Sequence, residues 1–126
     1  MYASRGIDAK YSCFPQGITK VDLVTKEESS WIGNPREFVG EIIFVSRKHD
    51  ESYSSAEEDE DDGYLMSYLN DTSDNSTYLV IFDAKNISQG PISKVLLPVA
   101  VPFALHGCFA SGVTFDFEHV RGNFKP

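Results

Sequence analysis

Cysteine is scarce. The 126-residue chain holds two, Cys13 and Cys108, far apart and without Cys-x-x-Cys spacing. That excludes a disulfide framework and a four-cysteine zinc site. Long apolar runs are also missing. The longest, residues 95–105, is interrupted by Pro98 and Pro102 and falls short of the roughly 20 residues of a spanning helix. The opening MYASRGIDAKYSC has no apolar core, so it predicts no signal peptide and makes a poor transit peptide. Positive charge is in deficit, with 11 basic against 19 acidic residues and a net charge of -8. Eight of the acids fall between Asp50 and Asp62 with no base among them, so the rest of the chain is neutral. Nothing basic is clustered to meet phosphates, which argues against nucleic acid as a partner. No stretch repeats its apolar residues every 3.6 positions, so little helix is expected. There is no Gly-x-Ser-x-Gly, no P-loop and no Gly-rich dinucleotide fingerprint.

What is present favours sheet. Aromatics make up 13%, nearly all Phe and Tyr. Residues 16–23, QGITKVDL, predict a strand, with a charged connection over 24–29 and a short return strand over 30–33. Asn34-Pro35 marks a turn, because the residue before proline avoids the helical region. Residues 38–45, FVGEIIFV, predict one continuous strand. Residues 46–62 turn polar and then acidic, ending in six successive like charges, and read as a solvated loop. Residues 63–69 and 77–83 predict two strands of a hairpin, joined by the turn-rich NDTSDNS. Residues 93–97 predict a further strand, followed by a segment kinked by its two prolines and then by residues 103–109. Short strands joined by turns make an all-β, antiparallel fold, and the pattern alone leaves sandwich, barrel and propeller open.

Few side chains stand out chemically. Glu41 is a lone carboxylate in an apolar strand. Alternation either points it to solvent or, since it would share a face with Val39, Ile43 and Val45, buries it with a partner. His106 sits in PFALHGCF with apolar residues on both sides, as a satisfied core histidine or as a ligand. Glu41 and His106 would make a sensible carboxylate–imidazole pair, which fixes the tautomer and raises ligand basicity. His49 and His119 lie in polar surroundings and read as solvated. The acidic run fails as a calcium loop. With Gly63 at the sixth position, Leu69 falls at the twelfth, where a bidentate Glu is required. The acceptor patterns at Asn70, Asn75 and Asn86 read as turn chemistry.

Four segments together resemble a known family. Phe38-Val-Gly-Glu-Ile-Ile-Phe-Val-Ser-Arg47 resembles the "GEPxFVPR" segment of carotenoid cleavage oxygenases. Glu60-Asp-Asp-Gly-Tyr-Leu65 is similar to their "EEDDGYLL", and Leu79-Val-Ile-Phe-Asp-Ala-Lys85 to their "LLILDAKxL" strand. Leu97-Pro-Val-Ala-Val-Pro-Phe-Ala-Leu-His-Gly107 resembles "LPxRVPYGFHG", which carries the family's last iron-binding histidine. The matches run in the family's order over residues 16–107. The resemblance implies the terminal blades of a seven-bladed β-propeller, with residues 1–107 as blades carrying an acidic loop at 48–62, and 108–126 as a poorly matching tail. It implies a non-haem Fe(II) held by four histidines, of which His106 is the last. Glu41 is then the carboxylate hydrogen-bonded to that ligand, and Phe103 lines the substrate channel. The implied partners are a carotenoid or apocarotenoid and O2, with peripheral membrane contact in the full-length protein. The compartment stays open between plastid, where photosynthetic relatives commonly act, and cytoplasm.

The sequence also departs from the family pattern. Ile42 and Ser46 stand where prolines are usual, Ala100 stands where a base is frequent, and the loop at 48–59 is extended. Only His49 and His119 accompany His106, and neither lies in a family ligand motif. One imidazole cannot hold catalytic iron, so the chain is expected to be the C-terminal part of an oxidative cleavage enzyme and inactive alone. The alternative is a noncatalytic β-rich interaction protein, or a decayed copy.

Overall fold

The computed structural model describes residues 1–5, 14–47, 60–103 and 106–113, with Ser4 and Arg5 as backbone only. Cys13, His49, His119, residues 48–59 of the acidic segment and the tail from 114 lie outside the described residues. Eight strands are described: β1 Tyr2–Arg5, β2 Gly17–Val21, β3 Glu28–Ile32, β4 Glu37–Val39, β5 Ile43–Ser46, β6 Gly63–Asp71, β7 Ser76–Asp83 and β8 Ser93–Leu96. A 3-10 turn at Ile87–Gln89 is the one helical element among the described residues. All pairings are antiparallel. The first three strands form one sheet in the order β1-β2-β3. The second sheet runs β4-β6-β7-β8, with β5 also paired to β6.

The turn chemistry explains the hairpins. Between β2 and β3 the Asp22 carboxylate accepts from the backbone N–H groups of Val24 and Thr25, and Lys26 takes a left-handed φ of 64°. Between β6 and β7, Asp71 and Asp74 accept from the N–H groups of Ser73 and Ser76, and Asn75 takes a φ of 59°. The predicted hairpin thus forms, each strand slightly longer than expected, in register from Tyr64 opposite Asp83 to Asp71 opposite Ser76. Strand β1 was not anticipated. Its four residues are too few to show a period, and it exists because β2 offers an edge to pair with.

The expected continuous strand 38–45 is two strands. Val39 faces Leu69, but Ile43 faces Met66, so the three residues 40–42 oppose only Ser67 and Tyr68. One extra residue is a β-bulge. Opposed residues share a face, so Val39 joins Leu69 on the core side, whereas Ile43 and Val45 join Met66 and Tyr64 on the other. The expectation that Glu41 shares a face with Val39 is therefore corrected.

The core lies between the two sheets. Ile18 from β2 meets Val39, Leu65, Leu69, Val80 and Phe82 from the larger sheet, with Ala84 and Ile87 closing one end. Trp31 packs edge-on against Phe82 with ring centroids 5.0 Å apart. Each fully buried Val, Leu, Ile or Phe among these contributes roughly 1.5–3 kcal/mol. Among the described residues no helix is long and apolar enough to cross a membrane.

Candidate metal centre

The opposite face of the larger sheet carries the chemistry. The chain leaves β8 at Leu96 and returns across this face, bringing residues 106–109 over a groove of about 250 Å³. Its walls include Ile43, Met66, Tyr68, Leu79 and Phe109, so it is mostly apolar. Glu41 and His106 both border it. The bulge turns the Glu41 carboxylate towards this side, where Oε1 lies 3.1 Å from His106 Nδ1 and Oε2 accepts the Gly107 N–H at 2.6 Å.

Those two contacts set which ring nitrogen faces the carboxylate. The Gly107 N–H, then the His106 ring, hold the Glu41 carboxyl below the ordinary glutamate value of 4.5. An ionised carboxylate only accepts, so Nδ1 carries a proton, and in the neutral ring Nε2 is the nitrogen with the lone pair. The His106 side chain is 78% exposed, so that lone pair is free to bind. Glu41 is itself 37% exposed. It is paired but not buried, which falls between the two readings its sequence allowed.

A divalent ion fits this imidazole as one donor among several. Nitrogen with its second ring position tied to a carboxylate is the usual form of a metal-binding histidine. Among the described residues, however, no group of three His, Cys, Asp or Glu could hold an ion. Cys108 is exposed and borders the same groove. Phe103 sits elsewhere, 4.5 Å ring to ring from Phe14, which meets Phe38 at 6.3 Å. It does not line the groove.

The other three segments quoted for their resemblance converge at one end of the larger sheet. Arg47 bridges Asp62 at 3.3 Å and Asp83 at 3.6 Å, and donates to the Tyr64 hydroxyl. Lys85 also reaches Asp62. Lys20 of the smaller sheet is paired with Asp61 and donates to the Ala84 carbonyl, to which the Tyr2 hydroxyl also donates at 3.1 Å. Burial, and then Asp61, Asp83 and Glu60, push the Tyr2 phenol up to about 12, so it stays a donor. The end of the acidic run is thus not a solvated loop. Asp61 and Asp62 are the anions of an ion-pair network joining the two sheets.

Sequence reasoning also missed Glu37. It is buried, accepts from the Asn34 N–H and side-chain amide, and pairs with Lys94 at 2.6 Å. Lys94 in turn lies over the Tyr78 ring. The available signal was the Asn34-Pro35 turn, whose free N–H needs an acceptor three residues on.

With this geometry in place, the likeness to known proteins is specific. Residues 1–111 match the profile of a family described as "Retinal pigment epithelial membrane protein". The chain is 35% identical over 114 residues to "Carotenoid cleavage dioxygenase 7, chloroplastic" of Arabidopsis thaliana, covering 86% of this chain and 18% of that protein. It is 34% identical over 89 residues to "Lignostilbene-alpha,beta-dioxygenase isozyme III" of Sphingomonas paucimobilis, covering 71% of this chain and 17% of that protein. The crystal structure of cobalt-substituted Synechocystis ACO superposes with a TM-score of 0.74 at 31% identity, over 86% of this chain and 21% of that one. The chain therefore spans about a fifth of the length of the proteins it matches. The all-β, antiparallel architecture expected from the sequence is the architecture of these relatives.

Proposed function

The chain belongs to the retinal pigment epithelial membrane protein family, and from that membership we propose that it supplies one imidazole of a non-haem Fe(II) centre in an oxidative cleavage enzyme. The substrate is a conjugated carotenoid or apocarotenoid, cut with O2 at one double bond to two carbonyl products. The observation that carries the reading is the Glu41–His106–Gly107 cluster, in which the carboxylate engages Nδ1 and leaves Nε2 as the ring position available to a metal. Residues 1–107 then form the terminal blades of the seven-bladed propeller, and the remaining histidine donors come from parts of the enzyme outside the described residues.

A ferrous ion bound by neutral imidazoles supplies open positions for O2. The residues of this chain do the rest by position. Glu41 fixes the ring of His106 and keeps the proton on Nδ1. The apolar walls of the groove offer a surface for an apolar polyene beside the imidazole, and Phe103, outside that groove, would meet the substrate further along its route. Such a substrate partitions into lipid, so the reading takes in peripheral contact of the whole enzyme with a membrane.

The test is to recover the continuous coding sequence on both sides of this segment and express the longer protein. Stoichiometric iron and cleavage of a carotenoid panel are expected. Replacing His106 with Ala should remove most of the iron and lower turnover by at least about 100-fold, the loss typical of a misplaced catalytic centre. Full iron content and activity in the His106→Ala protein would overturn the assignment.

A further inference from the structure

Among its described residues the segment that carries His106 has no regular secondary structure, and two prolines remove N–H groups from it. Something else has to hold it in place. Thr77, on β7, grips it twice. Its carbonyl accepts the Leu97 N–H at 2.8 Å, and its hydroxyl accepts the Val101 N–H at 2.9 Å. Both ends of the Leu97–Val101 loop are thus pinned to one residue. The hydroxyl has a single proton. It donates to Asn70 Oδ1 at 2.9 Å rather than to the Val101 carbonyl at 3.3 Å. Thr77 is 2% exposed, so water cannot take over either bond.

Register places this grip in line with the site. Phe38, Asn70 and Thr77 are directly opposite one another on β4, β6 and β7, so they form one row across the sheet. Phe14 rests on Phe38, and Phe103 rests on Phe14. Among the described residues, the next contacts along the chain are those of His106 and Gly107 with Glu41. The crossing segment is therefore fixed at Leu97 and Val101 by Thr77, at Phe103 by rings, and at 106–107 by Glu41. Between Val101 and His106 the backbone can span roughly 16 Å when extended. With Val101 unpinned, only the Phe103 ring stack and the Glu41 contacts would still place the imidazole.

We propose that Thr77, oriented by Asn70, is a positioning residue for His106: its hydroxyl holds the crossing segment so that Glu41 meets the imidazole. The link to a metal rests on the function proposed above, whereas the positioning itself does not.

The experiment uses hydrogen exchange on the 126-residue chain, comparing Thr77→Val, which removes the hydroxyl at nearly constant shape, with Thr77→Ser, which keeps it. Loss of one buried hydrogen bond corresponds to about tenfold easier local opening. In Thr77→Val the amides of Val101 and Gly107 should exchange about tenfold faster, while those of Leu65 and Phe82 in the core strands keep their rates. Thr77→Ser should restore both. Unchanged exchange at Gly107 in Thr77→Val, or acceleration there only in step with Leu65 and Phe82, would overturn the proposal. A second arm loads the longer natural protein with Co(II) and records its visible spectrum. A shifted spectrum or weaker Co(II) binding in Thr77→Val, rescued in Thr77→Ser, is expected. Failure of the unmodified protein to bind Co(II) would sink the metal reading and leave the exchange result to decide the positioning.

Discussion

Glu37 and Glu41 lie four residues apart, and the bulge between β4 and β5 sends them to different environments. Glu41 meets the imidazole at the edge of an open groove, whereas Glu37 is only 7% exposed along its side chain and has three donors around it. Burial works against the charged form of Glu37, but the Lys94 and Asn34 bonds outweigh it and hold its carboxyl below the ordinary value of 4.5. A carboxyl depressed on folding contributes stability that is present above about pH 4.5 and is lost as pH falls through the lower folded value. Glu37→Gln keeps the shape and an acceptor for Asn34 but leaves Lys94 without its anion. It should destabilise the chain at pH 7 by about 1–3 kcal/mol, as expected for a charged hydrogen bond. Below pH 4.5 the gap between variant and parent should shrink, because the parent then loses the same interaction. Urea melts at pH 7 and pH 3 measure this directly, and an equal gap at both would show that the charge on Glu37 is idle.

At the scale of elements, Gly63 shows why one of the recognisable segments has its composition. It opens β6 opposite Ser46. A Cβ there would lie 2.5 Å from the Val45 carbonyl oxygen and 2.6 Å from the Phe44 ring. The ring could swing aside, but the carbonyl belongs to the strand. Gly63→Ala should therefore cost about 1–3 kcal/mol by forcing β5 off β6. Adding Phe44→Ala should not rescue it, and thermal melts of the single and double variants check both statements. The same region marks what the sequence could tell. Alternation and turn residues were enough for the β6–β7 hairpin, because its register is local and Asp71, Asp74 and Asn75 announce the turn. The pairing of Glu41 with His106 was also legible, through an odd carboxylate and an odd imidazole in apolar runs and through the family motifs that contain them. The bulge was not legible. Nothing in FVGEIIFV says that three residues must oppose two, since that depends on where β6 lies. The roles of Asp61 and Asp62 were hidden for a like reason. A run of acids looks solvated until Lys20 of β2, and Arg47 and Lys85 just past the ends of β5 and β7, arrive to pair with Asp61 and Asp62.

At the scale of the whole chain, two sheets enclose one core, but the larger sheet ends in an open edge. Strand β8 pairs with β7 on one side, and no described strand pairs with the other. Ile92, Val95, Leu96 and Val99 on and beside it are 60%, 48%, 59% and 64% exposed. An unpaired edge with apolar side chains is a template for a further strand. The 126-residue chain alone should therefore associate as its concentration rises. Sedimentation velocity over a wide concentration range should show this, and the double substitution Val95→Lys with Leu96→Lys should keep the chain monomeric without lowering its melting temperature, because both side chains already face solvent. The same samples address iron. With one exposed imidazole and no three-donor cluster among the described residues, dialysed chain should retain iron at well below stoichiometric levels, in the monomeric variant as in the parent. If the parent instead gained stoichiometric iron as it associated and the edge variant did not, copies of this chain would be pooling their His106 side chains. The metal site would then be completed by self-association rather than by the rest of a longer enzyme.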